Sequence, residues 1–194
     1  MLGSLYTFSL WKEKEYQRAF EEAFAVPAPS KDVNWTVNKG VVRDWGIYVT
    51  DIQNYSSGAV PIRGTEWVYT RSIKDKDMYA LNAEFFSNLT NGWFRSSTWA
   101  SEDESVWVDG RYYMVNVIIP MGVSNYTQGY LKILDNKIRV VYFGMQTSDE
   151  AYITARPPYP DAELNYPFNV EYRVFISDIV PVRDIIKGLN RSSP

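Results

Sequence analysis

Two short hairpin signatures constrain this chain more than any other feature of its sequence. In the first, Val106 to Val108 and Arg111 to Ile119 flank Asp109-Gly110, a dipeptide that accepts the positive φ angles of a type I′ turn. A two-residue turn at this point sets Trp107 opposite Tyr112. The pair lies on the less apolar face of the hairpin. It is therefore either part of a second core or an exposed platform that meets a protein partner or a sugar ring.

The second hairpin repeats the pattern about Asp135-Asn136, which Tyr130 to Leu134 and Lys137 to Phe143 flank. This pairing places Lys132 opposite Arg139. Because like charges directly opposed across two strands are unfavourable, that face is expected to meet water or an acidic subunit. The predicted core of the two hairpins is Tyr113, Val115, Val117, Ile119, Leu131, Ile133, Ile138 and Val140.

The rest of the chain is read mainly as strands separated by polar turns. The predicted strands are Val42 to Ile52, Glu66 to Ile73, Tyr79 to Phe86, Gly92 to Ala100, Ala151 to Ala155 and Phe168 to Ile179. The segment from Tyr79 to Phe86 is compatible with two helical turns as well. Residues 1–10 alternate loosely and are expected to form a first strand of the same sheet or to pair with a neighbouring subunit.

Two segments have helical patterns. Trp11 to Phe24 carries one apolar stripe at helical spacing, and Pro27 and Pro29 end it. A helix packed on the sheet is the favoured interpretation, and a helix that binds a partner is the alternative. Val182 to Leu189 is expected to form a short terminal helix.

These elements predict a mainly β fold, an antiparallel β-sandwich or partly closed barrel with one N-terminal amphipathic helix. The 194 residues are expected to form a single domain, because the chain is long enough for one core and nothing in it demands two. Within it, residues 1–30 hold the extended segment and helix, residues 41–180 the β-rich core, and residues 181–194 the C-terminal tail.

The composition excludes several kinds of chemistry. The chain has neither His nor Cys, which removes His-dependent nucleophilic catalysis, the commonest transition-metal ligand and any disulfide framework. The net charge of -3 comes with scattered basic residues, so a nucleic-acid partner is not expected. No apolar run is long enough for a membrane span. We predict no enzymatic activity, no cofactor and no bound metal.

Two observations bear on the compartment. The start, MLGSLYTFSLWKEKEY, lacks the basic and long apolar regions of a secretory signal. Asn-X-Ser/Thr sequons nevertheless occur at Asn34, Asn54, Asn88, Asn125 and Asn190. A glycosylated surface protein of a thermophile is therefore one alternative identity, and a carbohydrate-binding module that uses Trp and Tyr platforms is another.

The hairpin stretch YYMVNVIIPMG with GYLKILDNKIRVVYFG resembles the β-sandwich modules of tailed-bacteriophage tail, fibre, collar and decoration proteins over residues 105–144. The resemblance implies a non-enzymatic structural or adhesive virion subunit, assembled in the host cytoplasm as a homo-oligomer or with other virion subunits. A host-surface glycan is a further candidate partner. The residues expected to meet a partner or glycan are Trp107, Tyr112, Lys132 and Arg139.

Overall fold

The computed structural model describes the backbone over most of the chain. The described residues are 2–26, 34–73, 89, 93–97, 100–101, 104–117, 128–146 and 168–192. The predicted strands at residues 79–86 and 151–155, and the core position Ile119, lie outside these ranges.

The described elements are mostly strands, as the sequence predicts. The helices are α1 Leu2–Ala23 and α2 Val182–Ser192. The strands are β1 Thr36–Asp51, β2 Ser56–Ile73, β3 Phe94–Ser97, β4 Ala100–Ser101, β5 Glu104–Val108, β6 Arg111–Asn116, β7 Gln128–Leu134, β8 Lys137–Gln146, β9 Phe168–Ser177 and β10 Val180–Pro181.

The strands form one antiparallel sheet in the order β4-β3-β7-β8-β9-β2-β1-β6-β5, and β10 pairs with the start of β8. The sheet is curled into a half-barrel. Of the two architectures that the sequence allows, a partly closed barrel is the one observed. Both hairpins have the predicted registers, and the turn residues Asp109, Gly110, Asp135 and Asn136 all have positive φ angles. The type I′ prediction is therefore confirmed.

The interior of the half-barrel is the main hydrophobic core. It combines side chains from six strands with the apolar face of α2: Ile47, Val49, Val60, Ile62, Tyr113, Val115, Val117, Leu131, Ile138, Val140, Tyr142, Phe175, Val182, Ile185, Ile186 and Leu189. The described residues of the core predicted from the hairpins are buried here, except that Ile133 is half-buried. A smaller cluster on the outer face of β8 and β9 includes Val141, Phe143 and Val174.

The curl brings strands together that are far apart in the sheet order. Val117, just after β6, lies against Gly129 of β7, and Gly129 also lies against the ring of Tyr142. A Cβ atom at residue 129 would fall well inside van der Waals distance of Val117 Cγ1 and 3.0 Å from Tyr142 Cε1. The absence of a side chain at this position therefore allows the half-barrel to close over its core.

The N-terminal segment differs from its prediction. Residues 2–10 are helical and continue into the predicted helix, so that α1 runs from Leu2 to Ala23; the expected first strand is wrong. Extending a helix by one residue costs less than nucleating a separate element, and the loose alternation of this segment is too weak to outweigh that. No helix among the described residues is long and apolar enough to cross a membrane. The short terminal helix is confirmed as α2.

We expect Gly129→Ala to lower the free energy of unfolding by about 1–3 kcal/mol, because an added methyl group overpacks a closed core. Gly58→Ala is the matched control, since the added Cβ there would lie 3.2 Å from Leu189 Cδ1, the end of a flexible side chain. Urea denaturation followed by far-UV circular dichroism measures both variants. Equal urea midpoints for Gly129→Ala and Gly58→Ala would contradict the role assigned to Gly129.

Candidate binding surface at the hairpin tips

Three hairpin turns lie at one end of the half-barrel, which we call the tip end. The antiparallel order places the turns β1–β2, β5–β6 and β7–β8 at this end, and side-chain contacts confirm that they are neighbours. Arg111 Nη1 lies 3.7 Å from Asp51 Oδ2. At the start of α2, the Val182 N–H donates to Asn136 O at 2.8 Å and Arg183 pairs with Asp109. Helix α2 therefore spans the tip end.

Trp107 and Tyr112 lie on the outer face of the β5–β6 hairpin. They pair directly across the strands, with ring centroids 5.5 Å apart and ring planes at 69°. Trp107 is 60% exposed and Tyr112 42% exposed. Of the two arrangements that the sequence left open, the structure shows the exposed platform rather than a second core. Each ring projects from a strand whose other face packs in the barrel interior.

The neighbouring β1–β2 turn adds two exposed hydrophobic side chains, Ile52 and Tyr55. Tyr55 is 94% exposed and has a φ of 53°, a left-handed conformation that costs an aromatic residue about 1–2 kcal/mol. We define Ile52, Tyr55, Trp107 and Tyr112 as the hairpin-tip surface. It holds four of the eight large hydrophobic side chains found exposed in the described part of the chain, so exposure is concentrated there.

A buried carboxylate holds the β1–β2 turn in place. Asp51 is 2% exposed, and its Oδ1 accepts hydrogen bonds from the backbone N–H groups of Gln53 and Asn54, both at 3.0 Å. Its Oδ2 accepts a third from Asn54 Nδ2 at 2.8 Å. These bonds fix the backbone immediately before Tyr55, so the surface is built on an ordered turn.

The charges beside the hairpin-tip surface are balanced. Arg183 forms a bidentate pair with Asp109, with Nη2 to Oδ1 at 2.8 Å and Nε to Oδ2 at 3.0 Å, and both side chains are more than half exposed. Exposed pairs of this kind contribute about 0–1 kcal/mol to stability. The pair therefore orients the hairpin more than it stabilises the fold, and it leaves the surface without a strong net charge.

The other two residues expected at a partner face, Lys132 and Arg139, lie opposite each other as predicted but not on this surface. Arg139 donates to the carbonyl oxygens of Phe24 and Ser177 at 2.9 and 3.0 Å. Burial lowers the pKa of Arg139, and nearby Asp178 partly opposes that shift. The face that sequence reasoning assigned to water or an acidic subunit is thus occupied here by the end of α1.

Lys132 is similarly enclosed on the outer face of β7. It is 8% exposed, its Nζ lies 5.9 Å from the centre of the Trp93 ring, and burial lowers its pKa. A cation over an indole face is attracted by the ring quadrupole. The structure therefore brings Trp107 and Tyr112 together on one exposed surface and places Lys132 and Arg139 in a separate, packed region.

Sequence reasoning missed Ile52 and Tyr55. The available signal was an aromatic residue inside the polar turn DIQNYSSG. Among the sequons, Asn34 and Asn54 are exposed, and Asn88 and Asn125 lie outside the described residues.

A second group of charged residues lies on the inner face, at the opposite end from α2. Glu66 is 4% exposed and pairs with Arg43 and with Arg173, whose Nη1 is 3.3 Å from Glu66 Oε1. Arg173 Nε also pairs with Glu171 at 2.6 Å. These acidic and basic side chains alternate in a row that links β1, β2 and β9. Within the described residues, no three His, Cys, Asp or Glu side chains are grouped so that they could hold a metal ion.

Comparisons of the chain with protein-family models, curated proteins and solved structures found no match.

We expect Asp51→Asn to lower the free energy of unfolding by about 1–3 kcal/mol, because the new amide nitrogen cannot accept a hydrogen bond from the donors that face the buried carboxylate. Asp109→Asn, at the exposed pair with Arg183, should cost less than about 1 kcal/mol. Chemical denaturation of both variants provides the test. If Asp51→Asn lowered the free energy of unfolding by less than Asp109→Asn does, the β1–β2 turn would not depend on the Asp51 carboxylate.

Proposed function

We propose that the chain is a non-enzymatic structural or adhesive subunit of a phage-like virion, and that it acts through contacts between copies of itself made by the hairpin-tip surface. The observation that carries the proposal is the exposure of Trp107 and Tyr112 on a rigid hairpin at the edge of the described sheet. Protein interfaces are enriched in such aromatic anchors, which bury a large area and lose little conformational entropy. The virion setting rests on the resemblance of residues 105–144.

The geometry of the aromatic pair favours a protein partner over the alternative of a carbohydrate-binding module. The two ring planes are inclined at 69°. Rings in that arrangement cannot both present a flat face to the same sugar, so the pair offers a single stacking face at most. Side chains of a protein partner, in contrast, can pack around an edge-to-face pair from several directions.

The positions of the four side chains also suit an interface. Ile52 and Tyr55 extend the apolar area from β5–β6 onto the β1–β2 turn, and the Arg183–Asp109 pair lies beside them. An apolar centre flanked by polar groups is the usual anatomy of a protein interface. The left-handed backbone at Tyr55 fits the same role, because strain at an exposed aromatic residue is retained where contact with another molecule offsets it.

The test is the self-association of the purified full chain, measured by sedimentation velocity over a range of concentrations. We expect a concentration-dependent oligomer that Trp107→Ser with Tyr112→Ser weakens by at least about tenfold, since removal of each interface anchor costs about 2 kcal/mol or more. Val42→Ser is the control, because Val42 is 58% exposed but lies on β1 away from the tip end.

Each outcome has a distinct meaning. Equal weakening by the control and by the double variant would overturn the assignment of the interface to the hairpin tips. A wild-type chain that stays monomeric at every concentration, and whose tryptophan fluorescence shifts on addition of glycans, would replace the proposal with the carbohydrate-binding alternative. A monomer without that shift would contradict both.

A further inference from the structure

Strand β5, Glu104–Val108, lies at one edge of the described sheet. The strand order ends at β5 on one side and at β4, which has only two residues, on the other. Among the described strands, β5 pairs with β6 alone. The free side of β5 is therefore the longer of the two edges at which a further strand could add to the described sheet.

The hairpin geometry decides which backbone groups of β5 face this edge. The residues that flank a two-residue turn, here Val108 and Arg111, exchange backbone hydrogen bonds, and hydrogen-bonded and non-hydrogen-bonded pairs then alternate along the strands. The N–H and C=O groups of Val106 therefore point toward β6, whereas those of Ser105 and Trp107 point away from it. No described residue forms a hydrogen bond with these outward groups of Ser105 and Trp107.

The sequence of β5 does not protect the edge against pairing. Natural edge strands are commonly protected by proline, by lysine or by a β-bulge. The strand ESVWV contains neither of these residues, and its register with β6 runs without a shift. Ser105 and Trp107 are exposed, whereas Val106 and Val108 are half-buried. Strand β5 thus presents an ordered and unprotected edge to a strand of another molecule.

We propose that two copies of the chain associate by antiparallel pairing of β5 with β5, across a two-fold axis that passes through Val106. This pairing places Ser105 of one protomer opposite Trp107 of its partner, and the reverse. The outward N–H of each residue then donates to the outward C=O of the residue opposite, so every outward group in both protomers is satisfied. The inference rests on the proposed function, because it specifies how copies of the chain associate through the β5–β6 hairpin.

The side chains of β5 suit a second copy in this register. On the outer face, each Trp107 lies across from Ser105 of the partner subunit, a small residue that leaves room for the indole ring. The two Trp107 residues are diagonal neighbours about 7–8 Å apart, which is within reach of aromatic side chains. On the inner face, Val106 lies directly opposite its own copy. The edge is therefore complementary to itself, as an isologous two-fold interface requires.

The first test removes one outward hydrogen-bond donor. Ser105→Pro eliminates the outward N–H and leaves the bonds to β6 in place, since proline is accepted in an edge strand where its nitrogen faces away from the sheet. Ser105→Ala is the matched control, because it removes the same hydroxyl group and keeps the N–H. Far-UV circular dichroism should be the same for both variants.

We expect sedimentation velocity to show that Ser105→Pro weakens self-association at least about tenfold relative to Ser105→Ala. The two-fold axis repeats the substitution, so each dimer loses two hydrogen bonds and leaves the two carbonyl groups opposite them without a donor.

A second test reads the register by cysteine cross-linking, and the chain suits it because it has no cysteine of its own. In the proposed pairing, the two copies of residue 106 form a non-hydrogen-bonded pair with Cα atoms about 4.5 Å apart, within the range that a disulfide spans. The two copies of residue 105 are about 7–8 Å apart, beyond that range. We expect mild oxidation to link Val106→Cys into a dimer much faster than Ser105→Cys, although Ser105 is the more exposed residue.

The outcomes separate this inference from the proposed function. If Trp107→Ser with Tyr112→Ser weakens self-association but Ser105→Pro behaves as Ser105→Ala does, copies associate through the hairpin tips and the edge pairing is overturned. Cross-linking of Ser105→Cys that equals or exceeds that of Val106→Cys would overturn the register centred on Val106. A wild-type chain that stays monomeric at every concentration would overturn both proposals.

Discussion

A sheet that stands alone must bury one of its faces, and this constraint shapes the rest of the structure. Here the sheet satisfies it by curling until Val117 meets Gly129, and α2 covers the interior that remains open at the tip end. The same curl brings three hairpin turns together, because strand order and direction place them at one end. A surface assembled from β1–β2 and β5–β6 is therefore a consequence of how the core is closed.

The hairpin registers were predictable because they are set locally. A two-residue turn with positive φ angles at both positions fixes which residues lie opposite one another, so Trp107–Tyr112 and Lys132–Arg139 follow from the turn sequences alone. Alternation then assigns the inner face. The sequence does not show which residues cover the outer face of each hairpin, because the covering elements are far away in the chain. One pair is exposed, whereas the end of α1 and Trp93 cover the other.

The error at residues 1–10 has a related origin. The segment alternates only loosely as a strand, and its Leu2, Leu5, Tyr6 and Leu10 recur at the i, i+3, i+4, i+8 spacing of a helix, a signal that the alternation obscured. The helical stripe predicted from Trp11 onward adjoins this segment, and the two form one helix because propagation from an existing helix is favourable. Tyr55 was missed for a different reason: it follows a turn that the carboxylate of Asp51 holds through the N–H groups of Gln53 and Asn54, and an Asx-type turn is consistent with many residues at the next position.

Trp107 and Tyr112 stand on paired strands whose opposite faces are buried, and this support bears on what the pair could contact. Side chains held in this way would lose little conformational freedom if a partner packed on them. A platform of fixed shape suits a partner of fixed shape, and the folded protein partner that we propose meets that condition.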